Sequence, residues 1–434
     1  MTRLQKLWDD LRSSLWFIPA LIVAGAVVLA VGLIEVEAFS KREQLAERWP
    51  LLFGAGAEGS RGLLSTIAGS MITVAGVTFS ITVVALTLAS SQYTSRILRN
   101  FVRDRANQAV LGVFVGVFAY CVVVLRTIRS GEEGAFVPGV AVLGALVLAF
   151  VAIGFLIFFI HHITASLQAA SIIDSVATET LEAVDRLFPA RLGEAAVGHA
   201  GEKQELAHAP GTWAAVPATK TGYVQGIDAD ALFKLANERD VVVRMEKGIG
   251  EFVIENCPLV SVSGMSPDDE TIRKLNAAYS VDRYRTVHQD ASYGIQQIVD
   301  VALKALSPGV NDTTTAVNCV DYLGAILARL VTRRIESPSR SEGGQLRVIN
   351  RGPTFPGLLA DAFDQIRQNA EGNVAVLERL LQVLATVAER TSDEQRRHAL
   401  RQQADLVMET AERSVPSAHD RATIQAARSD MHDQ

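Results

Sequence analysis

Four apolar runs, at residues 16–38, 63–89, 109–126 and 136–160, occupy most of the first 160 positions of this chain. Each holds about 18 residues or more, the length that a hydrocarbon core of roughly 30 Å demands of a spanning helix. Backbone inside such a core must satisfy its own N–H and C=O groups, so runs of this kind cross it only as helices. The rest of the chain is different in character. Of its 434 residues 49% are hydrophobic and mean hydropathy is +0.22, although 20% are charged. Apolar residues crowd into the first part and charges into the rest. That division predicts a transmembrane domain over 1–160 and a soluble part large enough to build its own core.

The first run follows Arg3, Lys6 and Arg12, as a secretion signal would, but it closes on Ile34-Glu35-Val36-Glu37 without a small-residue cleavage site. It reads as an uncleaved first span. Four spans place both termini on one side. Basic residues ahead of the first span and after the second (Arg96, Arg99, Arg103 and Arg105) outweigh those in the other loops, which predicts cytoplasmic termini and a cytoplasmic soluble part. The net charge of −6 and a pI near 5.8 give no reason to expect nucleic acid as a partner. Cys121, Cys257 and Cys319 have no paired spacing and read as small buried hydrophobes, with no metal site and no cofactor expected.

The second span carries the most informative side chains. Thr66, Ser70, Thr73, Ser80, Thr87 and Ser91 fall on one face of a helix. Hydroxyls are poorly served by hydrocarbon, so this stripe is expected to face protein or water, as a bundle contact or a pore lining. Ser65, Gly69 and Gly76 lie beside it as a small-residue face suited to close helix packing. No ionisable residue occupies the middle of any span, which argues against a transporter that couples to protons through buried acids. Glu35 and Glu37 at the end of the first span read as interface charges, or as a cation-attracting ring in an oligomer. Arg96, Arg99 and Arg103 form an inner basic cluster that ordinary positive-inside bias explains, and that could also attract anionic lipid.

No Gly or Pro interrupts residues 155–188, so the fourth span is expected to continue as a helical extension over 161–192, stopped by Pro189. Strand patterns at 213–216, 222–224, 241–244 and 251–254, with a short helix at 229–238, define a small β-rich module over 193–265. Its wording, Thr221-Gly222-Tyr223-Val224 and later Gly248-Ile249-Gly250-Glu251-Phe252-Val253, resembles barrel-sandwich hybrid domains of the lipoyl and biotinyl type. No carrier lysine motif accompanies it, so the resemblance implies architecture without carrier chemistry. Residues 266–413 read as a helical cytoplasmic domain, with helices expected at 291–306, 313–330, 358–369, 374–390 and 393–413, and residues 414–434 as a disordered tail. The fold class is therefore a four-span α-helical membrane domain joined to an α+β domain with a barrel-sandwich-like β module and a helical bundle.

Polar residues concentrate in Arg285-Thr286-Val287-His288-Gln289-Asp290 and in the stretch from Asp300 through Lys304 to Ser307-Pro308-Gly309-Val310-Asn311-Asp312. Much of this is explained by local structure. Ser307-Pro308-Gly309 stops one helix, Asn311 or Asp312 caps the next, Asp300 and Lys304 can pair four residues apart, and Arg285 and Asp290 can lock the preceding segment onto these helices. The sharper reading gathers His288, Asp290, Asp300, Asn311 and Asp312 into a site for a cation or small polar ligand, although no calcium-loop spacing is present. No nucleophile motif, metal-protease motif or phosphate-cradling glycine loop occurs, so no enzyme is expected.

These same segments resemble a bacterial membrane-protein family known as domain of unknown function 2254. Its signature, an Arg-Thr-x-x-Gln-Asp element followed by an Ala-Leu-Ser-Pro-x-x-Asn-Asp element, matches Arg285 to Asp290 and Ala305 to Asp312, and its second-span phrase matches Gly76 to Ile81 and Ser90 to Arg96. Thr313 and Ser95 stand where the family has Pro. The resemblance implies a bacterial inner-membrane protein and leaves the activity open. Two functions fit the residues. The first is a homo-oligomeric channel or transport pathway, with second spans around an axis, hydroxyls inward, and a cytoplasmic regulatory domain. The alternative is a non-conducting membrane scaffold or sensor whose cytoplasmic domain binds a ligand or protein partner.

Overall fold

The computed structural model describes residues 16–39, 56–92, 104–129, 136–166, 168–188, 212–335, 339–342 and 345–429. The chain divides into two compact units, Met1–Ser171 and Ile172–Gln434.

Among the described residues of the first unit four helices are long and apolar enough to cross a membrane: α1 (Phe17–Phe39), α2 (Ala57–Gln92), α3 (Arg105–Thr127) and α4 (Gly139–Ser166). Helix α3 is the centre, packed against the other three. Glycine permits this closeness: a Cβ on Gly112 would meet Ile22 Cδ1 of α1 at 2.8 Å, and one on Gly144 of α4 would meet the Tyr120 hydroxyl at 2.6 Å. That hydroxyl is fully buried and donates to the Ala141 carbonyl at 2.8 Å, so the one strongly polar atom in this apolar contact is satisfied.

Two carboxylates tie the ends of the spans together. Glu37, expected at an open interface, is buried and accepts from the Gly139 and Val140 amides at 2.6 and 2.8 Å. It supplies from α1 the anion that the N-terminus of α4 lacks in its own sequence, which a one-dimensional reading cannot anticipate. Glu35 remains exposed. At the other end Asp104 caps α3 by accepting from the Ala106 amide at 2.9 Å, and its second oxygen lies 2.5 Å from His162 Nε2 near the end of α4. The His162 ring also stacks on Phe158, with ring centroids 5.4 Å apart.

In the expected extension over 161–192 the described residues are helical, α4 running to Ser166 and α5 spanning Ala169–Leu187. Thr164 and Ser166 donate their hydroxyls to the carbonyls of Ile160 and His162, both at 2.8 Å.

The second unit is mostly helical, with two small sheets. The strands are β1 (Trp213–Pro217), β2 (Gly222–Ile227), β3 (Val243–Met245), β4 (Phe252–Val253), β5 (Pro258–Ser263), β6 (Tyr279–Asp282), β7 (Ser339–Glu342) and β8 (Gln345–Ile349). One sheet runs β1-β5-β3-β8-β7 and the other β4-β2-β6. All pairings are antiparallel except β3 with β8. The strands expected of a self-contained module over 193–265 are thus shared between two open sheets, and both recruit strands from outside that range. Of the strands that sequence patterning left unassigned, β6 follows directly on the short helix α7 (Asp269–Ala277), and β7 and β8 precede the helix that starts at Phe355. The partner of β6, β2, lies about 50 residues back, so local pattern carries little trace of that pairing, whereas β7 forms a hairpin with β8.

Helices α6 (Ala229–Glu238), α8 (Ala291–Leu306), α9 (Thr313–Leu330), α10 (Phe355–Asn369), α11 (Val374–Ala388), α12 (Glu394–Ser414) and α13 (Ala418–Ser429) complete the unit. Most begin at side-chain caps: Asp228, Asp290, Asp312, Thr354, Asn373 and Asp393 each accept an amide hydrogen bond at the start of the helix that follows. The tail expected to be disordered contains α13, which packs on α11 and buries Ile424 and Ala427. Only one large apolar side chain marks this helix, too little for periodicity to register, and its order comes from tertiary contact. Arg428 adds an ion pair to Asp405 of α12 at 2.6 Å.

Candidate functional site

Helix α2 has two distinct faces. Leu64, Ile67, Ala68, Met71, Ala75, Thr78 and Ala85 are buried against the helices of the first unit. Thr66, Ser70, Thr73, Ser80 and Thr87 lie on the opposite side and are exposed, as are Ser65, Gly69 and Gly76. A Cβ at Gly62, Gly69 or Gly76 would meet nothing within 4 Å. The spacing on this outward face is regular. Gly62 and Thr66, Gly69 and Thr73, and Gly76 and Ser80 repeat every seven residues, with Val83 and Thr87 continuing the step. In each pair the hydroxyl donates to the carbonyl four residues back, at 2.8 Å for Thr66 and Thr73 and 2.9 Å for Ser80 and Thr87. The hydroxyl protons are therefore satisfied within the helix, while the oxygen lone pairs point outward. The Ser91 side chain and the basic cluster Arg96, Arg99 and Arg103 lie outside the described residues.

The soluble-half polar motif is split by the fold. Asp290 caps the start of α8, accepting from the Tyr293 amide at 3.1 Å, and its other oxygen receives Arg285 Nε at 2.8 Å. Asp290 is buried, and the Arg285 guanidinium also lies over the Tyr293 ring. Asn311 and Asp312 sit beyond the far end of this sixteen-residue helix, about 24 Å away along its axis. There Asp312 caps α9 through the Thr315 amide and hydroxyl, at 3.0 and 2.6 Å. The Thr315 hydroxyl and amide hold the Asp312 carboxyl below the usual carboxylate range. Asn311 takes a left-handed conformation, φ 51°, in the tight connection between the two helices. Asp300 and Lys304 are half-buried on α8 between these ends. The His288 side chain lies outside the described ones. Asp290 and Asp312, expected to converge on one ligand, therefore serve two separate helix starts. Among the described residues no group of three or more His, Cys, Asp or Glu side chains could hold a metal ion.

What Arg285 and Asp290 do border is a cleft of about 930 Å³ within the second unit. The loop Gly248-Ile249-Gly250-Glu251 forms one wall and the start of α8 another, while Arg334, Ile335, Arg351 and the start of α10 close the rest. Gly250 is indispensable to the first wall. Its φ is +84°, and a Cβ there would meet Asp290 Oδ2 at 2.6 Å and Arg285 Nη2 at 2.9 Å. The barrel-sandwich-like phrase and the Arg285–Asp290 motif, distant in sequence, thus meet here. Glu251 accepts from the Gly248 amide at 2.6 Å and pairs with Arg351 at 3.0 Å. Arg334, Arg351 and Asp361 are lining residues that sequence reading missed. Each is an ordinary surface charge in sequence, and only the approach of α10 to the β loops makes them neighbours.

The family model described as "Predicted membrane protein (DUF2254)" matches residues 12–386. The chain belongs to this family. It is similar to the uncharacterized protein Mb1321c of Mycobacterium bovis and to the uncharacterized protein Rv1290c of Mycobacterium tuberculosis, 34% identical to each over 98% of this chain and 82% of the relative. A third relative in this family, uncharacterized protein MT1328 of another Mycobacterium tuberculosis strain, is 33% identical over the same shares. No solved structure matches the chain. Both the membrane helices and the cleft fall inside the family match, which ends within α11.

Proposed function

We propose that this membrane protein forms an oligomeric channel or transport pathway in which the α2 helices of several copies surround a common axis with their hydroxyl faces inward. The supporting observation is the orientation of Thr66, Ser70, Thr73, Ser80 and Thr87, which point away from every other helix of their own unit. Hydroxyl oxygens can replace part of an ion's hydration without trapping it as a buried charge would. Gly62, Gly69 and Gly76, about 40° from the hydroxyls around the helix, leave room for a neighbouring copy to approach closely. In this reading the protein sits in the inner membrane with cytoplasmic termini, is not an enzyme, and its soluble unit regulates passage of an ion or small polar solute.

A second reading is favoured by one feature. Because Thr66, Thr73, Ser80 and Thr87 donate to their own helix, the face does not require water. A seven-residue repeat of small residues also suits a dry, left-handed helix contact, as in a non-conducting scaffold or sensor.

Single cysteines at Thr73 and Ser80 distinguish the two. In the channel, membrane-impermeant thiol reagents modify both positions in liposomes and block ion flux. In the scaffold, the cysteines crosslink between copies yet stay unreactive to the reagent, and flux is absent. Loss of flux across voltage, pH and osmotic tension in the unmodified protein refutes the channel.

A further inference from the structure

The geometry points to a binding site for a small organic anion, a phosphate or carboxylate carried on an apolar body, in the cleft between the Gly248–Glu251 loop, α8 and α10. This inference is independent of whether the membrane unit conducts.

The cleft is large enough for a nucleotide-sized molecule, since ligand pockets run from about 300 to 1,000 Å³ and this one measures about 930 Å³. Its floor is apolar, with Phe188, Met245 and Ile335 buried in it. Three arginines and three acids line it, so formal charge balances, but their commitments do not. Asp290 is held by Arg285 and by the start of α8. Glu251 is held by Arg351 and the Gly248 amide. Asp361 accepts the Ser292 hydroxyl at 2.8 Å, so it too answers the N-terminus of α8. Every carboxylate is occupied.

The cationic side is not. Arg334 makes no ion pair among the described residues and lines the cleft with its guanidinium exposed. Arg351 uses one nitrogen on Glu251 and is 56% exposed, leaving further donors. The N-terminus of α10, at Thr354 and Gly357, faces the same space, and its cap is a neutral threonine. Next to it a Cβ on Gly352 would find only Asn350 within 4 Å, so backbone is open to a ligand there. Free guanidinium donors over an apolar floor match an anionic head on an apolar body.

The test uses the full chain in nanodiscs of zwitterionic lipid. Phenyl phosphate and adenosine monophosphate are titrated by calorimetry, with inorganic phosphate as the head alone and benzyl alcohol as a body alone. Both organic phosphates should bind saturably and more tightly than either half. Arg334→Ala should weaken them at least about tenfold, the usual worth of a charge-assisted hydrogen bond, with Arg334→Lys intermediate. Arg390→Ala, which does not line the cleft, should leave binding unchanged, and thermal midpoints of all variants should match the parent. Three results each overturn the inference: no saturable binding of either organic phosphate, equal binding of inorganic phosphate, or binding that Arg334→Ala leaves intact in a folded protein.

Discussion

Arg396 on α12 provides the sharpest test of how the second unit holds its cleft. Its side chain is buried, and Nη1 donates to the carbonyls of Leu330, Val331 and Arg333 at 3.3, 2.7 and 3.0 Å. Leu330 also accepts the Arg333 amide at 2.9 Å, while the Val331 and Arg333 carbonyls lie at and just beyond the C-terminal end of α9, so one guanidinium from a distant helix helps to cap it. The same group lies over the Phe355 ring at the start of α10, with 5.4 Å to the centroid, and 3.6 Å from the Asp393 carboxylate. Arg396→Leu keeps most of the apolar packing but takes their side-chain donor from the Val331 and Arg333 carbonyls and strands a partly buried acid. Removing one partner of such a buried charged cluster costs about 3–5 kcal/mol. For a unit of this size each kcal/mol moves the midpoint by about 2–4 °C, so the loss should be on the order of 10 °C. Thermal unfolding of the purified full-length protein, followed by near-ultraviolet circular dichroism, measures it. Because Arg333 immediately precedes the cleft residues Arg334 and Ile335, binding in the cleft should weaken as well. Arg396→Lys, with a point charge that reaches fewer carbonyls, should fall between. A change below about 1 kcal/mol in Arg396→Leu, within the range of an exposed ion pair, would refute the capping argument.

Other outcomes follow from single contacts. A Cβ on Gly294 of α8 would sit 2.0 Å from Thr180 Oγ1 of α5, so Gly294→Ala should destabilise the second unit by about 1–3 kcal/mol; Thr180→Ala in the same chain should recover part of that loss in the same unfolding assay. Glu37→Gln removes the charge that caps α4 and should cost about 1–2 kcal/mol, read as a lower midpoint in detergent, whereas Glu35→Gln should be near neutral. Hydrogen bonds from Arg329, with Arg333 beside it, hold the Asp185 carboxyl below its ordinary value of 3.8. A depressed folded-state value means that this contribution is present above pH 3.8 and fades as pH falls through the folded value. Acid unfolding of Asp185→Asn should therefore begin from lower stability at neutral pH and converge with the parent in strong acid; a constant gap at all pH would count against the linkage.

Much of the site's vocabulary was legible without its grammar. The cap at Asp312, the helices on either side of it and the grouping of hydroxyls on one face of α2 all come from short-range rules, because capping and helical periodicity act within a few residues. Arg285 and Asp290, whose pairing with each other came from the fold, were legible as anchors of their segment. The meeting of Gly250 with that pair was not. Nothing in the Gly248–Glu251 loop specifies which of many polar partners it will touch, and only a positive φ marks the glycine as irreplaceable.

Sequence alone determined that four segments of this chain suit hydrocarbon, that α2 is two-faced, and where most helices of the soluble half begin, since each follows from composition or spacing along one helix. Tertiary structure decided which face of α2 is covered, that Glu37 of α1 caps α4, that strands from residues 279–282 and 339–349 complete the sheets, and that Arg334, Arg351 and Asp361 share one cleft. These are contacts between segments tens or hundreds of residues apart. Their free energy depends on shape and burial after collapse, and no local pattern in the chain encodes it.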